Sequence, residues 1–158
     1  MGVVVAIDPG YDRVGIAVLN GMEVIHSECF SPKKGELPER LLAVFSHVQS
    51  VIKKYKPDAV ALETLFFSNN QKTAIAVAEA RGVIMVAAMS CEVPVFEYSP
   101  QAVKIAVTGS GNAQKAAVIK MVERTVKLSV KKRVDDEFDA IALGIAHQAQ
   151  SPLLRGLK

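Results

Sequence analysis

The sequence predicts an α/β fold, a mixed five-stranded sheet with helices on both faces. Three observations carry that expectation. The N-terminal stretch up to Phe30 holds short apolar runs of strand length. From Leu37 onward the apolar residues recur at helical spacing instead. Two more strand-like runs then lie between helical stretches, the alternation that builds parallel crossovers.

Val3-Val4-Val5-Ala6-Ile7 is a continuous apolar run, as expected of a strand buried on both faces. Val14 to Leu19 is a second strand and Met22 to Phe30 a third. Asn20-Gly21 joins them as a hairpin signal, because both residues tolerate positive φ. Leu37, Leu41, Leu42, Phe45, Val48, Ile52 and Tyr55 mark a helix that Pro57 stops. Asp58 to Glu63 reads as a fourth strand, and an Ala-rich helix follows from about Lys72 to Met89. Glu92 to Tyr98 is the fifth strand. Ser99-Pro100 starts a helix with a cap and a proline in its first turn. Gly109-Ser110-Gly111 breaks it, and Asn112 is expected to cap another helix reaching about Leu128. A basic loop, Ser129 to Val134, precedes a last helix from Asp135 to Gln150. Residues 1–150 thus form one domain, with 151–158 as a loose tail. Right-handed crossovers place the fourth strand beside the first. A meander followed by two crossovers resembles the ribonuclease H-like architecture.

Composition narrows the class. At 158 residues and 50% hydrophobic, the chain supports a full core without disulfides or a structural metal. Charged residues at 22% exclude an intrinsically disordered chain. The longest apolar run, Val83 to Met89, falls short of the ~20 residues of a membrane span, and no secretory signal is visible. Cys29 and Cys91 form neither a CxxC pair nor a disulfide framework. The expectation is a soluble, cytoplasmic protein without a membrane partner. The net charge of +3 gains meaning if four of the 16 acids belong to a metal site. The other 12 then face 19 bases, a surface of +7 suited to a phosphate-rich partner.

Four acids stand where such a site is expected. Asp8 ends the first strand on a Pro-Gly turn, at the carboxyl edge where α/β sheets bind ligands. Glu63 closes the apolar run of the fourth strand, and a carboxylate withdrawn from water needs a partner. Asp136 and Asp139 open the last helix, one turn apart on one face. Asp135 and Glu137 suit a plainer role at the helix dipole, with Asp135 as a possible N-cap. Spacing alone does not choose between an Asp135/Asp139 and an Asp136/Asp139 pair. Clustered carboxylates without His or Cys call for a hard cation, Mg²⁺ or Mn²⁺. Two such ions serve phosphodiester hydrolysis. His26, His47 and His147 lack ligand spacing and read as structural or surface residues.

Ala6-Ile-Asp-Pro-Gly10 followed by Gly15, Leu62-Glu63-Thr-Leu-Phe66, Ala80-Arg-Gly82, Val95-Phe-Glu-Tyr98 and Asp136-Glu-Phe-Asp139-Ala-Ile-Ala stand in a fixed order along the chain. In order and spacing they resemble the RuvC family of Holliday junction resolvases, from about Val3 to His147. The resemblance implies a homodimeric, Mg²⁺-dependent endonuclease with one or two ions per subunit, Mn²⁺ substituting. Its substrate would be a four-way DNA junction, cut on two opposed strands in recombination and repair. It implies Asp8, Glu63, Asp136 and Asp139 as catalytic metal ligands, choosing Asp136 over Asp135. RuvA and RuvB, the branch-migration proteins, would be its partners. Phe66 matches an aromatic near the junction crossover, although Phe67 beside it shares the chemistry. Lys104 and Lys115 match basic positions along the DNA, and Lys132 and Arg133, in the run from Lys131, are placed to hold a phosphate.

Three other readings are weaker. The opening Asp8-Pro-Gly-Tyr-Asp-Arg-Val-Gly-Ile-Ala-Val18 also resembles YqgF-type RNA-processing nucleases, but Glu63 with its following aromatic favours RuvC. An actin-like nucleotide-binding module needs a second phosphate loop and usually a second domain, which this length does not hold. A DNA-binding module without catalysis would use the acids only as caps.

Overall fold

The computed structural model describes residues 2–65 and 71–155. Its elements are β1 (Val3–Asp8), β2 (Val14–Asn20), β3 (Glu23–Phe30), α1 (Leu37–Tyr55), β4 (Ala59–Glu63), α2 (Gln71–Ser90), β5 (Val95–Tyr98), α3 (Pro100–Thr108), α4 (Lys115–Thr125) and α5 (Asp135–Arg155). One sheet runs in the order β3-β2-β1-β4-β5. The meander β1-β2-β3 is antiparallel, and β4 runs parallel to β1 and to β5. The fourth strand therefore lies beside the first, as the crossover rule requires. Gly21 turns the β2-β3 hairpin at φ 57, a conformation that costs a residue without Cβ little.

The sheet is covered on both faces. Val4, Ala6, Ala17 and Leu19 pack against Val103, Val122, Ile141 and Leu143 of α3, α4 and α5. Val5, Ile7, Ile16 and Val18 pack the other way, against Val44, Val48, Ile52 and Ile84 of α1 and α2. Alternate residues of β1 thus serve opposite cores, which is why its run contains no polar residue until Asp8. By length and composition alone, α2 over Lys72–Ser90 is apolar enough to cross a membrane. Ala80, Ile84, Ala87 and Ala88 are buried in the fold, whereas Ile75, Val86 and Met89 face outward.

Several expected boundaries move, each for a local reason. The fifth strand starts at Val95, not Glu92, because Glu92 holds φ 58 and Val93 N–H bonds back to the Ala88 carbonyl. The helix expected from Asn112 starts at Lys115 and stops at Thr125. Its expected last turn is pulled extended: Lys127 bridges Glu23, exchanging backbone hydrogen bonds with Met22 and Val24. The last helix continues past Gln150 to Arg155, so the segment expected as a tail is helical through that residue. Asp135 is the first helical residue rather than the cap. Val134 precedes it, and its N–H is held by the Glu137 carboxylate at 3.1 Å.

Candidate active site

Backbone register brings the first two acids together. Ile7 pairs with Leu62 on the adjoining parallel strands, and Asp8 and Glu63 are the residues that follow each. On the other side of β1, Asp8 pairs with Gly15 of β2. A Cβ at Gly15 would collide with the Asp136 carbonyl oxygen. The bare glycine lets the first turn of α5 settle onto the sheet next to Asp8, where a larger residue would push it away. Asp139, one turn on, lines a cleft of ≈ 220 Å³ with Asp8, Glu63, Lys104 and Lys115. Pro100, Val103, Val118 and Ala142 form its apolar wall. Beneath Glu63, Arg81 donates to that residue's own carbonyl at 3.2 Å and pairs with Glu97 of β5, fixing the end of β4.

The electrostatics are those of acids without enough positive charge. Burial, then Glu63, Asp139 and Asp136 in that order, push the Asp8 carboxyl up to about 8. Burial and Asp139 push Glu63 up to about 7, against the pull of Lys104 and Lys115. Asp139 is raised as well, by burial first, although Lys115 reaches it at 3.1 Å. Asp136 forms an ion pair with Arg13 and a 3.7 Å contact with the Cys29 thiol. The Asp135 side chain is 67% exposed and, among the described residues, its one ion-pair partner is Lys115, at 3.4 Å. Of the two helix acids left open by spacing, Asp136 is therefore the one whose field reaches Asp8.

Among the described residues, no three His, Cys, Asp or Glu side chains are drawn close enough to grip an ion as they stand. Arg13 and Lys115 hold the two α5 acids instead. The donor set is all oxygen, with burial and mutual repulsion opposing its full ionisation. That chemistry suits a hard divalent cation, whose charge relieves both penalties.

Other expected residues separate. Lys104 and Lys115 lie on the cleft. Lys132 is exposed, whereas the Arg133 guanidinium is engaged with Ser27 and Ser129. Phe66 and Phe67 lie outside the described residues. Two residues were missed. Arg13 carried no signal beyond its place in the turn after Asp8. Glu137 was legible only as an acid suited to the helix dipole, not as a buried one whose carboxylate accepts from Val134 N–H. The histidines are structural: His26 and His47 reach one Glu28 oxygen at 3.2 and 2.8 Å, and His147 meets the Tyr98 hydroxyl at 2.9 Å.

Comparison with known proteins decides the family. The model for "Crossover junction endodeoxyribonuclease RuvC" matches residues 4–147. The chain belongs to the RuvC family. The relative of that name from Petrotoga mobilis is 39% identical over 150 residues, covering 92% of each chain. The structure of T. thermophilus RuvC in complex with Holliday junction substrate superimposes with a TM-score of 0.89 at 31% identity, covering 97% of this chain and 96% of that one. A yeast mitochondrial Holliday junction resolvase, Ydc2, shares the fold at a TM-score of 0.66 and 11% identity, covering 98% of this chain and 83% of the other. RuvC members share the ribonuclease H-like fold expected from the meander and crossovers, and they are crossover junction endodeoxyribonucleases.

Proposed function

We propose that this chain is a structure-selective endonuclease that resolves four-way DNA junctions by paired, metal-dependent phosphodiester hydrolysis in recombination and repair. The observation that carries the reading is the convergence of Asp8, Glu63 and Asp139 on one cleft, with Asp136 beside it. The T. thermophilus relative solved with a Holliday junction substrate supports the choice of DNA. Asp8, Glu63, Asp136 and Asp139 would hold Mg²⁺, one or two ions per subunit, with Mn²⁺ as a substitute. When bound, the metal supplies a lowered water pKa and charge stabilisation at the phosphoryl oxygens. Asp8 and Glu63, rooted on rigid strands, fix the position of the site. Lys104 and Lys115, on its rim, orient the scissile phosphate, and Lys115 turns from Asp139 toward DNA. Phe66 would stack on an unpaired base at the crossover, a contact of roughly 1–3 kcal/mol. Lys132 reaches a flanking phosphate.

A junction needs two cuts, and one chain carries acids for one site, so the working unit is a homodimer. The outward side of α2, with Ile75, Val86 and Met89 exposed, is the face assigned to the second copy. Sedimentation equilibrium should give a species near twice 17.0 kDa, reduced to monomer by a charge at exposed Ala78. Residues 1–150 make up the nuclease domain, consistent with the family match over 4–147. A cytoplasmic location and partnership with RuvA and RuvB belong to the same reading. The test is a labelled four-way junction and a linear duplex, each with and without Mg²⁺. Symmetric, Mg²⁺-dependent cuts in the junction alone are expected. Cleavage in EDTA, or equal cleavage of the duplex, would overturn the reading.

A further inference from the structure

The basic run Lys131-Lys132-Arg133 is not a uniform patch. Lys131 Nζ reaches the Glu137 carboxylate at 2.6 Å and donates to the Ser27 carbonyl oxygen. Arg133 donates from Nε to Ser27 Oγ, from Nη1 to the Ser129 carbonyl and from Nη2 to Ser129 Oγ, each at 3.0 Å. The Ser27 hydroxyl in turn donates to Glu137 Oε1 at 2.9 Å, and Val134 N–H donates to Oε2 at 3.1 Å. Ser27 and Glu137 are each only 5% exposed. Both flanking cations are therefore turned into the protein, onto a buried carboxylate and a buried hydroxyl. Lys132 between them is exposed and forms no hydrogen bond or ion pair among the described residues.

We propose that Glu137 is a positioning residue. Through Lys131 and Ser27 it fixes the loop Ser129–Val134 as a rigid arm, and Lys132 alone of the three cations grips a junction phosphate. The inference rests on the junction-resolvase reading above. Its physical logic has two parts. A loop tied down before binding loses less conformational freedom when a phosphate arrives. Glu137 also lies between Asp136 and Asp139 on the first turn of α5, so one anchor ties the phosphate grip to the acids at the reaction site. Arg133 closes the arm on itself through Ser129 and reaches no phosphate.

The experiment is binding of a labelled four-way junction in EDTA over a range of NaCl concentrations, with thermal midpoints measured on the same proteins. Lys132→Ala should shallow the slope of log affinity against log salt by about one, with an unchanged midpoint. Lys131→Ala and Arg133→Ala should lower the midpoint and leave the slope near that of the parent. Glu137→Gln should weaken junction binding about tenfold. In that background Lys132→Ala should cost much less than it does alone, a coupling between two side chains that do not touch. If Glu137→Gln does not fold, Ser27→Ala replaces it in the cycle. Equal shallowing by all three single alanines, or additive losses in the cycle, would overturn the proposal. If the parent fails to prefer the junction over duplex, the resolvase reading itself is what fails.

Discussion

Glu137 and Asp8 are both carboxylates withdrawn from water, one on the first turn of α5 and the other at the end of β1, and they behave oppositely. Burial works against the charge of Glu137, but Lys131, the Val134 N–H and the Ser27 hydroxyl outweigh it and hold the group below the usual range. Burial works against Asp8 too, and there the neighbours are Glu63, Asp139 and Asp136, which add to the penalty. Lys115 opposes them without prevailing. One acid is satisfied by the fold, and the other is left for something the fold does not provide. A carboxylate that stabilises structure arrives with its own donors, whereas one awaiting a cation is surrounded by its own kind.

The largest effects are expected in catalysis. Asp8→Asn, Glu63→Gln, Asp136→Asn and Asp139→Asn should each reduce junction cleavage by ~10³-fold or more, since under the proposed function each removes a metal ligand. Gel-shift measurements should find junction binding kept or tightened, because repulsion of phosphate falls. Asp135→Asn should cleave like the parent, and loss of activity there with full activity in Asp136→Asn would reverse the assignment of the helix pair. Stability should divide the same acids differently. Glu137→Gln breaks a buried, fully partnered group and should lower urea-unfolding stability by about 3 kcal/mol. Asp8→Asn in EDTA should raise it by about 1–2 kcal/mol, because an amide meets neither the burial penalty nor the repulsion. Destabilisation by both would erase the contrast.

That contrast was only half visible in the sequence. Asp8 and Glu63 were readable because each ends an unbroken apolar run, and runs of that kind specify parallel strands buried on both faces. Their adjacency followed from the handedness of crossovers, and the observed order puts β4 beside β1. Asp136 and Asp139 showed their shared face by spacing. Glu137 did not show its burial, because helix periodicity does not say that Ser27, over a hundred positions earlier, waits beneath it. Arg133 and Lys131 read as surface charge for the same reason: the partners that turn them inward are distant in sequence. The end of α4 was misjudged because Val126 to Leu128 keep helical composition while Lys127 is captured by the edge of β3.

A smaller effect involves a third withdrawn group. His147 lies among Phe96 and Tyr98, and burial holds its imidazole below the ordinary value of 6.5. The unfolded chain therefore takes up the proton first. Stability from this site is complete above about pH 6.5 and declines as the pH falls from there toward the lowered folded value. Urea melts at pH 8 and pH 5 should show a loss in the parent that shrinks in His147→Gln. An equal loss in both would assign the acid sensitivity elsewhere.

Thermal unfolding at rising Mg²⁺ concentration compares the two carboxylates most directly, because binding to the folded state alone raises its stability. The parent midpoint should climb with Mg²⁺, that of Asp8→Asn should stay flat, and that of Glu137→Gln should climb in parallel with the parent from a lower start. A parent midpoint indifferent to Mg²⁺, or an Asp8→Asn midpoint that climbs as the parent's does, would contradict the claim that the acids at this sheet edge hold the metal.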